Sequence, residues 1–298
     1  PPPAPPPALP ASSARPFRDR HSHALTRPVR KTTAPHSRLL LLTVFLCASS
    51  GAQEFRWEAG VGLVGTHLPL YPGSSQDAGY LIPFPYLRLE SKYLDIDQGI
   101  ESRIFRSNKV RVSLSGGLGV PVNSAESRAR EGMPDLDLVL QVGPSLDVIL
   151  NSRHDGAREF RLELPVRLAV ATDFSSTRNT GWLFEPRLVY ESKRKQKKGW
   201  SYEFTGGLRF ATDKYHNYYY SVDPLFATAT RPAYDASGGY SGLFTDLIAS
   251  WRRKSLIYFA WVRYQYLGGV QYEDSPLFED ENYWFLGIGV NWIFAESK

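Results

Sequence analysis

Residues 283–294 read YWFLGIGVNWIF and give the clearest structural signal in the chain. The even positions from Trp284 to Phe294 are all apolar, whereas the odd positions up to Asn291 carry tyrosine, phenylalanine, glycine and asparagine. This alternation predicts a β-strand with one wholly apolar face. The run is longer than the ~5–6 residues of an average soluble strand, and it fits the ~9–11 residues with which a tilted strand crosses a bilayer.

Ten other runs after residue 53 repeat the alternation, and in several of them a charged face lies opposite an apolar one. A soluble β-sandwich would alternate in the same way. The strand lengths, the aromatic residues at strand ends and the glycines on polar faces favour a membrane instead. The runs are 55–65, 80–90, 93–104, 110–120, 135–142, 160–170, 181–191, 200–210, 241–252 and 255–267.

Lipid cannot hydrogen-bond a backbone, so spanning strands must close into a ring without an edge. The sequence therefore predicts an all-β protein, a closed antiparallel transmembrane β-barrel formed by residues 53–298. Closure with both termini on one side needs an even number of strands. We predict twelve, with the tyrosine-rich stretch 214–222 as the twelfth strand. Ten strands remain the alternative, because short and long connections do not alternate under this assignment.

An apolar run at residues 39–48 follows Arg38 and precedes four small residues, which is the pattern of a secretory signal peptide. The run is too short for a transmembrane helix. We predict a signal peptide that ends with residues 39–52, cleavage after Ala52 and export to the outer membrane. Residues 1–38 are a low-complexity leader rich in proline and arginine, to which we assign no function and which a misplaced translation start would explain.

The basic balance of the chain comes from this leader. The formal net charge is +5, but residues 1–38 carry seven Lys or Arg against one acid, and the remainder carries 28 basic and 29 acidic residues. Nucleic acid is therefore excluded as a partner. A single cysteine excludes cysteine metal clusters, and no cofactor is predicted. A mean hydropathy of -0.31 excludes a helical membrane protein with several spans.

Several short motifs in the barrel region point to one family. They are Tyr71-Pro72-Gly73-Ser74, residues 83–86 (PFPY), residues 95–105, residues 232–239 (PAYDASGG), residues 274–276 (DSP) and residues 287–294 (GIGVNWIF). Together they resemble the MipA/OmpV family of Gram-negative outer-membrane proteins. One departure is that four residues follow Phe294, whereas barrel chains usually end on the aromatic residue that the assembly machinery reads.

The resemblance implies a non-enzymatic scaffold or adaptor for peptidoglycan synthesis and remodelling. Its partners would be a murein transglycosylase or synthase, the lipid bilayer, lipopolysaccharide and the barrel-assembly machinery, for which Trp292 and Phe294 form the C-terminal signal. A small-solute porin or a surface adhesin is the alternative function. The fold by itself does not decide between them.

Two groups of residues are candidate sites. The first group lies in predicted loops and either binds a partner or plugs the barrel, and it comprises Tyr71, Pro72, Gly73, Ser74, Tyr234 and Asp235. The second group is charged and faces the lumen, and it comprises Arg111, Asp137, Glu163, Arg167 and Arg209. A narrow lumen favours pairing of such charges, so we expect a closed or barely conducting pore.

Two further features have ordinary explanations. After cleavage the chain has three histidines, His67, His154 and His216, and none of them has a serine two residues away on the same strand face, so no enzyme is predicted. The basic run 193–198 could bind lipopolysaccharide phosphate, anionic lipid or a partner. We prefer the explanation that it is a solvated hairpin tip that prevents edge aggregation.

Overall fold

The computed structural model describes residues 56–90, 95–96, 102–107, 109–153, 157–193 and 198–297. The predicted leader and signal peptide lie outside these residues, as do His154 and residues 194–197 of the basic run. The strands are β1 (Arg56–Pro69), β2 (Asp77–Glu90), β3 (Asp95–Ile96), β4 (Ser102–Arg106), β5 (Val110–Gly119), β6 (Leu138–Ser152), β7 (Arg158–Thr172), β8 (Thr177–Phe184), β9 (Arg187–Ser192), β10 (Gly199–Ala211), β11 (Gly239–Arg253), β12 (Leu256–Tyr266) and β13 (Asn282–Glu296).

The sheet closes into a ring of antiparallel strands, which confirms the predicted barrel. β1 pairs with β2 along one edge and with the final strand β13 along the other, so that Gly62 lies between Phe84 and Asn291. β8 and β9 share the same two neighbours, β7 and β10, and form one strand interrupted at Glu185 and Pro186. The thirteen described strands therefore occupy twelve positions in the ring.

The predicted twelfth strand over residues 214–222 is wrong, because Asp213–Tyr220 forms the helix α1. Its buried residues Tyr215 and Tyr219, like His216 and Tyr220, are four positions apart, so they share one helical face. The twelfth position comes instead from the run 93–104, which is divided between β3 and β4. No helix in the described part of the chain is both long and apolar enough to cross a membrane.

With this assignment short connections lie at one end of the barrel and long ones at the other, and the exception among the described connections is the four-residue turn 173–176 at the long-loop end. Short connections, such as residues 107–109 and 254–255, lie at the end where β1 begins and β13 finishes, which we call the turn end. Long connections, such as residues 120–137, 212–238 and 267–281, lie at the opposite end, which we call the loop end. Outer-membrane barrels show the same asymmetry, with short turns on the periplasmic side and long loops outside.

The outward face is apolar, as the alternation predicts. Even residues of β13 face outward, and Trp284, Leu286 and Ile288 are exposed. Aromatic rings form a row near the turn end. The ring centroid of Trp251 lies 6.4 Å from that of Trp200 and 5.8 Å from that of Tyr258. Such a row is typical of side chains at a membrane interface. The outward face therefore suits contact with lipid.

The four-residue tail after Phe294 extends the seam that closes the barrel. Ala295 and Glu296 continue β13 opposite β1, and the Ser297 amide donates to the Trp57 carbonyl at 2.8 Å. Trp292 and Phe294 both point outward. Their role as an assembly signal stays a prediction, and the tail leaves both of these aromatic residues accessible.

A close approach of β6 and β7 gives a test of the register. A Cβ atom added at the inward-facing Gly143 would collide with the Val166 carbonyl oxygen of β7. We expect Gly143→Ala to destabilise the barrel by about 1–3 kcal/mol, as overpacking usually does. Gly206→Ala is the matched control, because a Cβ there comes no closer than 4.0 Å to any neighbour. The measurement is the temperature at which the folded band disappears in heat-modifiability gels, and equal temperatures for the two variants would contradict the register.

Candidate functional site

The lumen beside β5 to β10 is lined by paired charges, which we call the ion network. Its members come from inward positions, where side chains two residues apart on one strand share a face. They are largely buried, although each could carry a full charge. The ion network comprises Arg111, Asp147, Glu159, Arg161, Glu163, Arg167, Glu185, Arg187, Glu191, Glu203 and Arg209.

In the part of the ion network nearer the loop end, the Glu185 carboxylate pairs with two arginines. One carboxylate oxygen accepts from Arg167 Nη1 at 2.6 Å, and the other accepts from Arg209 Nε at 2.5 Å. Arg167 also donates through Nε to the Ser115 hydroxyl at 2.9 Å. Glu185 stands where Pro186 interrupts the strand, and it is 3% exposed. A buried charge is tolerated when such partners satisfy it.

Glu163 has the same role nearer the turn end. Arg161 Nε donates to one carboxylate oxygen at 2.5 Å, and Arg187 Nε donates to the other at 2.6 Å. Arg161 also reaches Glu191 at 2.8 Å. Next to it, Arg111 pairs with Asp147 and with Glu159, at 2.9 Å in each case. The charges thus form a nearly continuous chain of alternating sign along this side of the lumen.

Four of the five predicted lumen charges, Arg111, Glu163, Arg167 and Arg209, lie in the ion network. Asp137 does not, because it precedes β6 at the loop end. Its carboxylate contacts Arg178 at 3.3 Å, and the Arg178 side chain is 63% exposed. The alternation predicts which way a side chain points but not how far along the barrel it lies.

A cluster of aromatic side chains, which we call the plug, lies at the loop end. Tyr220 of α1 and Tyr272 of the β12–β13 loop stack with ring centroids 3.6 Å apart and planes 7° apart. Tyr71 meets Tyr220 edge to face at 6.4 Å. Burial raises the pKa of the Tyr219 and Tyr220 hydroxyls well above the ordinary value of 10, so both stay neutral. The other buried members include Tyr215, Val122, Leu136, Leu183 and Val270.

The predicted loop residues 71–74 belong to the plug. The Tyr71 hydroxyl donates to the Leu277 carbonyl at 2.8 Å, and the Pro72 carbonyl accepts from the Tyr220 hydroxyl at 2.8 Å. Gly73 has a φ of +87°, which glycine adopts easily, and its carbonyl accepts from the Glu279 amide at 2.8 Å. Ser74 is buried beside them. These residues order the loop end and offer little surface to a partner.

The second group of predicted loop residues, Tyr234 and Asp235, is less buried than residues 71–74. Tyr234 is half-buried, and its backbone pairs with Val222 in an isolated bridge. Its hydroxyl lies 3.5 Å from the Gln271 carbonyl. Asp235 is exposed. The structure thus brings Tyr71 and Ser74 into the plug and leaves Tyr234 and Asp235 at its edge.

His216 is fully enclosed in the plug. Because a carbonyl can only accept, its Nδ1 must donate to the Ser237 carbonyl, at 2.6 Å. Nε2 is buried without a hydrogen-bond partner among the described residues. Burial lowers the pKa of His216, and Asp213 and the bond to Ser237 offset this in part. In the described part of the chain, no three or more His, Cys, Asp or Glu side chains are grouped to hold a metal.

Sequence reasoning missed two arginines that hold the loops together. Arg130 is buried and donates to the Tyr219 carbonyl at 3.0 Å and to the Pro134 carbonyl at 3.1 Å. Arg231 donates to the carbonyls of Glu131 and Phe226 at 2.9 and 2.8 Å. No pattern marks either residue, because their acceptors are backbone carbonyls from other parts of the loops.

A family model described as "MltA-interacting protein MipA" matches residues 61–294. No curated protein sequence matches the chain. Among solved structures, the chain is similar to the crystal structure of a Pseudomonas aeruginosa FadL homologue, with 8% identity and a TM-score of 0.32, over 80% of this chain and 68% of that one.

Removing the charge of Glu185 tests the ion network. Glu185→Gln leaves Arg167 and Arg209 without their shared carboxylate, and breaking a buried pair costs about 3–5 kcal/mol. The control is Asp137→Asn, which changes a pair with an exposed arginine and should cost less than about 1 kcal/mol. Urea unfolding in lipid vesicles measures both. Equal losses of unfolding free energy would show that the buried pairing is not what stabilises the lumen.

The buried His216 predicts a pH dependence of the plug. Its folded-state pKa is lowered, so opening of the plug takes up a proton once the pH falls below about 6.5, the pKa of an unrestrained histidine. The closed plug is therefore fully stable above that pH. Below it, the equilibrium constant for closing the plug falls by at most about ten-fold per pH unit. Protection of residues 213–220 in hydrogen–deuterium exchange, corrected for intrinsic rates, measures the opening. His216→Gln should abolish the decline, and His67→Gln, at an exposed position, should keep it.

Proposed function

The chain belongs to the MipA family of outer-membrane proteins, and we propose that it is a non-enzymatic scaffold that binds a murein transglycosylase at the inner face of the outer membrane. The family description supplies the class of partner, since it names an interaction with MltA, a murein transglycosylase. The proposal extends that interaction to this chain and assigns it to one end of the barrel.

The observation that carries the proposal is the difference between the two ends. The plug occupies the loop end, and outer-membrane barrels carry their short turns on the periplasmic side, so a periplasmic enzyme would meet the turn end. Lys109, Lys198 and Lys254 are exposed there. Such a surface complements an acidic patch on a partner and speeds its encounter.

The alternatives have less support. A small-solute porin needs an aqueous path, whereas Arg167 and Arg209 are buried against Glu185. An adhesin would present mobile loops, whereas Arg130 and Arg231 tie the long loops to one another. We also propose that the barrel is not an enzyme. His216 is enclosed, and the exposed His67 side chain lies beside Asp77, which is exposed as well.

Site-specific crosslinking in the native outer membrane tests the scaffold. A photo-reactive residue at Lys109 or Lys254 should capture a murein transglycosylase, because both positions are exposed at the turn end. The matched control is Leu225, which is 82% exposed at the loop end and should capture none. Conductance of the same purified barrel in a planar bilayer is expected to be silent. Steady conductance without a captured periplasmic enzyme would replace the scaffold with a pore.

A further inference from the structure

A cavity opens at the rim of the turn end, and we call it the rim cavity. It has a volume of about 350 Å³ and lies between the turn that joins β11 to β12, the residue before β10 and the last residues of β13. Small-molecule sites commonly span ~300–1,000 Å³, so the rim cavity is large enough to hold a ligand group. Its lining includes Lys198, Arg252, Lys254, Ile293, Phe294 and Glu296.

The rim cavity borders both faces of the barrel wall. Ile293 is buried and points inward, whereas Phe294 points outward and is 58% exposed, and both residues line the cavity. β13 carries an extra residue at this point, because Gly60 of β1 pairs with Ile293 and Ala59 pairs with Ala295. Such bulges are frequent at barrel rims, where they end regular pairing and redirect side chains. The rim cavity is therefore next to the lipid-facing surface as well as the lumen.

The tail after Phe294 holds one side of the rim cavity in place. Ala295 and Glu296 belong to its lining. The next residue, Ser297, is fixed to β1 by two hydrogen bonds, since its amide donates to the Trp57 carbonyl at 2.8 Å and its hydroxyl accepts from the Trp57 amide at 2.9 Å. The four residues by which this chain departs from the usual barrel terminus thus help to shape the cavity.

A buried arginine forms part of the wall of the rim cavity. Arg252 is 2% exposed, and its Nη1 donates to both carboxylate oxygens of Glu58 at 2.8 Å. Its Nε donates to the Lys254 carbonyl at 3.1 Å. Nη2, by contrast, lies 3.5 Å from the carboxylate of Glu296, whose side chain is 44% exposed. A further anion can therefore approach Arg252 through Nη2.

Positive charge exceeds negative charge around the rim cavity. Among the described residues that line it, three are cationic and one, Glu296, is acidic. Lys198 and Lys254 are exposed at its edge, and Arg253 is exposed in the same turn as Lys254. Glu58 lies outside the lining and is engaged by the buried arginine. The balance of charge favours an anionic ligand.

The row of aromatic rings near the turn end places the rim cavity at the level of lipid headgroups. Trp200 follows Lys198 by two residues, and Trp251 precedes Lys254 by three. These tryptophans stand in line with Tyr258 on the outward face. Tryptophan and tyrosine prefer the membrane–water interface, and basic side chains just beyond it attract anionic headgroups. The two lysines therefore lie where the phosphates of the leaflet are found.

We propose that the rim cavity binds the phosphate of an anionic phospholipid from the surrounding leaflet. The phosphate carries a negative charge and acceptor oxygens, which match the Nη2 group of Arg252 and the ammonium groups of Lys198 and Lys254. Ile293 and Phe294 offer apolar surface to the part of the lipid nearest its headgroup, which a free phosphate ion lacks. The site goes beyond the scaffold function, because a lipid occupies it in the absence of a partner enzyme.

Native mass spectrometry of the detergent-solubilised barrel tests the choice of ligand. The barrel is titrated with dioleoyl phosphatidylglycerol or with dioleoyl phosphatidylcholine, which carries the same acyl chains. We expect the anionic lipid to be retained with an apparent Kd at least ~10-fold lower. Equal retention of the two lipids would overturn the proposal. Inorganic phosphate at a millimolar concentration should leave the bound lipid in place, and its displacement would assign the rim cavity to a free phosphate instead.

Two lysine substitutions test the position of the site. Lys198→Gln combined with Lys254→Asn should weaken phosphatidylglycerol binding at least ~10-fold. Asparagine is used because Lys254 has a φ of +55°, which asparagine adopts more readily than most residues. The matched control is Lys109→Gln combined with Lys214→Gln, which removes as many exposed charges away from the rim cavity and should leave binding unchanged.

Equal weakening in the double variant and in its control would overturn the position of the site. Heat-modifiability gels verify that both variants are folded. The purified barrel is measured without a transglycosylase, so this result and that of the crosslinking are independent of each other.

Discussion

The need to satisfy every backbone hydrogen bond in hydrocarbon governs this structure. Water is absent from the bilayer core, so an unpaired amide or carbonyl costs several kcal/mol there. Pairing of β13 with β1 meets this need by closing the ring, and residues 295–297 extend that seam beyond the last aromatic residue.

Closure also creates an interior, which the chain fills in two different ways. On one side arginines and carboxylates pair closely, and each buried charge has partners that balance its loss of hydration. At the loop end aromatic rings and backbone-directed arginines replace water. The first arrangement fixes which side chains are neighbours across strands, and the second fixes the loops against one another. In the described part of the chain, both arrangements place protein side chains where an aqueous path would have to run.

Much of the fold could be predicted because a strand repeats every two residues. The alternation in residues 283–294 predicts both the strand and its outward face. It fails for residues 214–222, where five aromatic or histidine side chains in close succession fit a strand as well as a helix, and where tertiary packing selects the helix. The alternation alone was enough to predict which charged side chains face the lumen. They are Arg111, Glu163, Arg167 and Arg209. Their partners, and the roles of Arg130 and Arg231, depend on contacts between distant segments that periodicity does not encode.

The ion network ties β5 to β10 together, because its members lie on these strands and pair across them. The rest of the ring is held by backbone pairing, by aromatic contacts such as that of Trp261 with Phe285, and by separate ion pairs that join Glu58 to Arg252 and Asp246 to Arg263. Removing one member of the ion network therefore disturbs more charges at once than removing one member of these separate pairs.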